Sequence, residues 1–148
     1  MKMHLAQLNL ADAIADMDSP IMADFVNNTD RINALAEKSS GYIWSLEERP
    51  EQEKEDRVAI FGKDSLLVNM SVWKDKASLF DFVYKSVHKD IMIRKKEWFA
   101  KQPKMHMILW YVPVGHQPKI SEGKERLEFY RANGASSYAF SFKDNFLQ

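Results

Sequence analysis

The chain has no cysteine among its 148 residues, so disulfides, thiolate metal sites, CxxCH haem attachment and cysteine nucleophiles are excluded together. It also has no net charge: 21 Lys+Arg stand against 21 Asp+Glu, which leaves no global field to recruit nucleic acid or an anionic membrane. Glycine is scarce, at five, and none falls in a GxGxxG, GxxxxGK[ST] or GxSxG pattern. Phosphate-cradling loops and the nucleophile elbow of serine hydrolases are therefore missing. No apolar run approaches a membrane span, and the opening MKMHLAQLNLADAIADMD places Asp12, Asp16 and Asp18 where a signal peptide needs an unbroken apolar stretch. The expectation is a cytoplasmic protein of one domain, since the length is short for two domains and ample for one core.

What is present is a regular alternation of strand and helix patterns. His4 to Leu10 is a short strand with Leu5/Gln7/Asn9 on one side and Ala6/Leu8/Leu10 on the other. Asp18-Ser19-Pro20 supplies a cap and a proline for a helix carrying Ile21, Phe25, Ile32, Leu35 and Ala36, which Ser39-Ser40-Gly41 ends. A second strand runs from Tyr42 to Leu46, with Tyr42, Trp44 and Leu46 expected on one side. Glu47 to Arg57 is charged and contains proline, the pattern of a solvated loop. Ser65 to Trp73 alternates Leu66/Val68/Met70/Val72 against Leu67/Asn69/Ser71/Trp73. From Ser78 to Lys101 there is neither Gly nor Pro, which predicts one long or bent helix. A doubly covered strand from Met105 to Val112, a helix from Ile120 to Asn133 capped by Gly134, and a short strand from Tyr138 to Phe142 complete the chain.

This order predicts an α+β fold, a ferredoxin-like antiparallel sheet with helices on one face. The other face, Ala6/Leu8/Leu10, Leu66/Val68/Met70/Val72 and Ile108/Trp110/Val112, is then too apolar to leave in water. A second subunit pairing sheet to sheet would cover it, so a homodimer is expected.

His88 lies among Phe80, Tyr84, Val87, Ile91, Met92, Lys95, Trp98 and Phe99, which share one side of the long helical pattern. It is either a core imidazole satisfied by a neighbour or a functional one. Gln7, Asn9, Asn69 and Ser71, together with Trp73, are polar or amphipathic residues on the strand sides that face the helices, and buried polar groups need partners. A pocket between sheet and helices is the expectation. Its candidate catalytic residues are His88, Asn9 and Asn69, and its candidate substrate contacts are Trp44, Trp73, Tyr84, Met92, Arg94 and Trp98. Arg94 sits off the His88 side and is either a surface or subunit-interface residue or an anchor for an anionic group at the pocket mouth, and Trp98, like Trp110, is more often a core residue than a ligand platform. No metal is expected, because histidines at 4, 88, 106 and 116 have no ligand spacing.

LAQLN, DRINALAEKSSGYIWSLE, NMSVW at Asn69 to Trp73, FVYKSVH at Phe82 to His88, RKKEWF and WYVPVGHQP from Trp110 resemble a bacterial family built on a domain of unknown function, near the dimeric α/β-barrel superfamily. The resemblance implies ferredoxin-like subunits with pockets between sheet and helices. Cofactor-independent monooxygenases, lactone isomerases, haem-degrading enzymes and plain ligand-binding modules all occur in that superfamily. The expectations are therefore an enzyme acting on an aromatic or polyketide-like substrate without a cofactor, His88 being acid or base; a haem protein with His88 as axial ligand; or a non-catalytic dimer that binds a metabolite.

Overall fold

A computed structural model describes residues 2–46, 60–62, 66–86, 88–101 and 104–144, and of His88 the backbone alone. The charged stretch from Glu47 to Arg57 lies outside the described residues. Strands β1 (Met3–Asp12), β2 (Tyr42–Ser45), β3 (Leu66–Trp73) and β4 (Met107–Pro113) form one antiparallel sheet in the order β2-β3-β1-β4. Helix α1 (Ala23–Lys38) joins β1 to β2. Helices α2 (Lys76–Lys85) and α3 (His88–Ile93) lead from β3 to β4, and α4 (Ile120–Asn133) follows the sheet. Alternation along β1 sends Leu5, Gln7 and Asn9 to one face and Ala6, Leu8 and Leu10 to the other.

Local chemistry sets the helix ends. Ser19 accepts from the Ile21 N–H, and Pro20 opens a short 3₁₀ turn (Pro20–Met22) that runs into α1. Asp75 caps α2 by accepting from the Ser78 N–H at 2.8 Å, and the Ser78 hydroxyl together with that N–H holds its carboxyl below the usual range. The expected single helix from Ser78 to Lys101 is instead two helices and a 3₁₀ turn (Lys95–Glu97). Ser86 takes an extended backbone, which ends α2, and its hydroxyl donates to the Phe82 carbonyl. Within α2 the buried side is Leu79 and Val83, while Phe80 and Tyr84 of the expected stripe stay about two-fifths exposed.

The expectation of helices on one face only is overturned. Helices α1, α2 and α3 lie against the Leu5/Trp73 face, where Leu79, Val83, Ala36, Phe82 and Met92 pack. Helix α4 lies against the other, where Ile120 and Leu127 join Ala6, Leu8, Met70, Val72, Ile108 and Trp110. Gly123 permits the approach: a Cβ there would sit 3.3 Å from both Leu8 methyls and 3.5 Å from Met70 Sδ. Ala6, Leu8, Leu10, Met70, Val72, Ile108, Trp110 and Val112 are all at most 3% exposed within one chain. The apolar face that called for a second subunit is thus covered by the chain itself.

At the far edge of the sheet, the expected strand from Tyr138 to Phe142 is reduced to a bridge. Leu109 and Phe140 exchange both backbone hydrogen bonds, at 2.7 and 2.9 Å.

Candidate functional site

The helix-covered face carries an amide and hydroxyl network on neighbouring strands. Gln7 pairs with Ser71 across the β1–β3 ladder, and Asn9 with Asn69. Gln7 Nε2 donates to Asn69 Oδ1 at 2.6 Å and to Ser71 Oγ at 2.8 Å. Ser71 Oγ also accepts from the Trp73 indole N–H at 2.9 Å. Gln7 and Ser71 are buried, Asn9 is half-buried and Asn69 is exposed, so the network runs from the core out to solvent. Among the described residues the Asn9 side chain makes no hydrogen bond, and the second polar atom of the Gln7 amide and of the Asn69 amide also lacks a partner.

Apolar groups flank this floor. Trp73 stacks on Phe82 with ring centroids 5.2 Å apart, and Met92 and Met107 are partly buried against the same core. Met107 is the β4 partner of Asn9, hence beside it on that face. Helix α1 is anchored at its start by Phe25, whose ring meets Trp98 at 5.6 Å and Phe99 at 4.9 Å, and near its end by Ala36. Yet none of its 16 residues is fully buried.

Asn9, Asn69, Trp73 and Met92, of the residues singled out in the sequence, share this side of the sheet. Trp44 does not. A β-bulge between Tyr42 and Trp44 puts Tyr42 edge-on to Trp73 at 5.5 Å, while Trp44 and Leu46 turn to the α4 side. Tyr84 packs on the flank of α2 with Phe80 and Phe142, at 4.6 and 5.6 Å. Arg94 is committed to carboxylates: Asp24 at 2.8 Å and Glu97 at 2.8 and 3.0 Å, with its guanidinium 4.8 Å from the buried Trp98 ring. It ties α1 to the turn after α3. His88 opens α3 one turn before Met92, and its side chain falls outside the described set.

A second polar cluster escaped the sequence reading. Glu122, in the first turn of α4, accepts from the Trp110 indole N–H at 2.9 Å and lies 2.7 Å from His116 Nε2. It lines an open surface depression of about 480 Å³ with Lys119, Ser121 and Arg126. The one available signal was an acidic residue at a helix start just after the Pro/Gly-bounded loop that holds His116. His4 is buried under the α4 side with Nδ1 lacking a partner among the described residues. Burial lowers the His106 pKa below 6.5, with Lys95 and Arg131 adding to it against a bond to the Lys104 backbone.

The His106 shift has a stability consequence. The unfolded chain takes up that proton at higher pH than the folded one, so stability rises with pH through the window below 6.5 and is lost on acidification. His106→Gln is expected to narrow the difference between urea midpoints at pH 7.5 and 5.5. An unchanged difference would show that the group does not titrate in this way.

The sequence matches the family described as "Domain of unknown function (DUF3291)" over residues 4–148. The chain belongs to the DUF3291 family. No curated protein matches this DUF3291 chain. Among solved structures it is similar to the NE2512 protein of unknown function from Nitrosomonas europaea, at 13% identity and a TM-score of 0.46, over 78% of this chain and 93% of that one. Among the described residues of the DUF3291 chain, no group of three or more His, Asp or Glu side chains can hold a metal ion. Among those same residues, no helix is long and apolar enough to cross a membrane.

Proposed function

We propose that the chain binds a small molecule on the helix-covered face of its sheet, over Gln7, Asn9, Asn69 and Ser71. One observation carries this reading: hydrogen-bonding groups without protein partners are gathered on a face overlain by a helix with no buried side chain. Asn69 is exposed and Asn9 half-buried, so these groups are open to solvent, and polar groups converging beside aromatic and methionine side chains are the usual form of a ligand floor. The β2-β3-β1-β4 order, with a helix in each crossover, supports a ferredoxin-like fold, and the resemblance to dimeric α/β-barrel proteins supports a pocket between sheet and helices. Pairing of two subunits would need a surface other than the one α4 covers. The cysteine-free composition suits a cytoplasmic setting.

An enzymatic version assigns His88 as acid or base, with Asn9 and Asn69 holding a substrate carbonyl and Trp73, Phe82 and Met92 beside an aromatic ring. Loss of turnover with retained ligand affinity in His88→Ala is its signature.

Methionine methyls distinguish the two faces of the sheet. With ¹³C-methyl methionine, a mixture of small aromatic fragments is expected to shift Met92 and Met107 and to leave Met70, under α4, unmoved. Shifts concentrated at Met70, or at backbone amides around His116, would overturn the proposal.

A further inference from the structure

We infer that the part of the ligand seated on this floor is uncharged and carries a hydrogen-bond acceptor and donor side by side, as in a lactam, ureide or primary amide. The inference rests on the sheet-face site proposed above and names its ligand class. Gln7 Nε2 spends both its hydrogens, on Asn69 Oδ1 and Ser71 Oγ, which leaves Gln7 Oε1 as an acceptor and Asn69 Nδ2 as a donor. Turning both amides over together keeps the network intact, since Asn69 and Ser71 then donate to Gln7 Oε1. That arrangement leaves Gln7 Nε2 as donor and Asn69 Oδ1 as acceptor. Either way one donor and one acceptor are left over on adjacent strands. Asn9 adds a further amide beside them.

Among the described side chains no free charge meets an ionised group there; the His88 side chain lies outside them. The residues directed to this face, Leu5, Gln7, Asn9 and Ala11 of β1, Tyr42 of β2, Leu67, Asn69, Ser71 and Trp73 of β3, and Met107, Leu109 and Tyr111 of β4, include no acid or base besides two tyrosines, and burial raises the pKa of Tyr111 further. On the overlying helices, Asp24, Asp30, Arg31, Glu37 and Lys38 of α1, Asp81 and Lys85 of α2, and Lys89 and Asp90 of α3 are exposed. Lys76 Nζ is held by the Asp144 carbonyl at 2.8 Å, and Arg94 by Asp24 and Glu97. A carboxylate brought onto the floor would lose water without gaining a cation among the described side chains.

The test uses two probes of similar size, isoquinolin-1-one, a neutral lactam, and 2-naphthoate, titrated into the ¹⁵N-labelled chain while the side-chain amide signals of Gln7, Asn9 and Asn69 are followed. The lactam is expected to shift Gln7 and Asn69 saturably, with 2-naphthoate at least about tenfold weaker. Gln7→Met keeps the volume and leaves Trp73 its Ser71 acceptor, and it should weaken the lactam about tenfold. Asn69→Ala, at an exposed position, provides a second variant with the same expected direction should Gln7→Met not fold. Equal or tighter binding of 2-naphthoate at the same amides would overturn the neutral-ligand inference while leaving the sheet-face site standing. Amides unmoved by either probe at its solubility limit would overturn the inference as well. Saturable shifts confined to residues around His116 would remove both.

Discussion

Gly41→Ala is expected to lower the melting temperature by about 10 °C, the largest loss from a single added methyl among the described glycines. Two costs coincide at this residue. Its φ of +86° lies in the left-handed region, where a side chain costs about 1–2 kcal/mol. An added Cβ would also fall 2.2 Å from Ser78 Oγ and 2.4 Å from Ser78 Cβ, in the first turn of α2. Overpacking of this kind costs about 1–3 kcal/mol, against the roughly 5–15 kcal/mol that holds a domain of this size. Moving Gly41 is not a cheap escape, because its carbonyl accepts the Lys74 N–H at 2.7 Å and so fixes the α1–β2 corner to the end of β3. Ser78→Gly removes both clashing atoms, so the double variant should recover the steric part and keep the backbone part, a positive coupling in a double-mutant cycle. Melting of Gly41→Ala within 2 °C of the parent would contradict this account.

Gly123→Leu should have a comparable effect by a different route. Helix α4 approaches the sheet so closely that a Cβ alone would touch Leu8 and Met70, and a leucine adds three more carbons to filled space. The gain in helix propensity over glycine, about 1 kcal/mol, does not offset this. The helix is expected to lift, opening water to Ala6, Leu8, Met70, Ile108 and Trp110, with red-shifted tryptophan emission, dye binding and self-association. Gly123→Ala, by contrast, trades the same propensity gain against displacements of a few tenths of an ångström and should lie within about 1 kcal/mol of the parent. A monomeric Gly123→Leu of unchanged stability would mean that α4 does not seat on this face.

Those two glycines also mark what was legible in the sequence. The helix from Ile120 to Asn133 can be read to the residue from its own signals, with Gly134 at its end. Which side of the sheet it takes depends on a three-dimensional fit that a one-dimensional period does not carry. Gly123, a residue of poor helix propensity at the fourth position of the helix, was the local hint of close approach. The odd-numbered polar positions Gln7, Asn9, Asn69 and Ser71 were legible as one side of two strands because the ladder has no irregularity between β1 and β3. Trp44 was not, since a bulge at Ile43 breaks the alternation that would keep it with Tyr42. Helix α2 ends at Ser86, without Gly or Pro, where the backbone turns extended, a choice that propensity scales leave open. Arg94 was seen to lie off the apolar stripe, but its partner Asp24 is 70 residues distant.

The bridge between Leu109 and Phe140 has a consequence for how molecules can meet. The outward-pointing backbone groups of β4 belong to every second residue, Leu109 and Pro113 among them. Leu109 has given both of its groups to the chain's own later segment, and Pro113 has no N–H to give. An incoming strand from another molecule would find this edge already occupied at its centre and chemically blunted at its end, so sheets of neighbouring molecules cannot run on into one another here without first displacing Phe140.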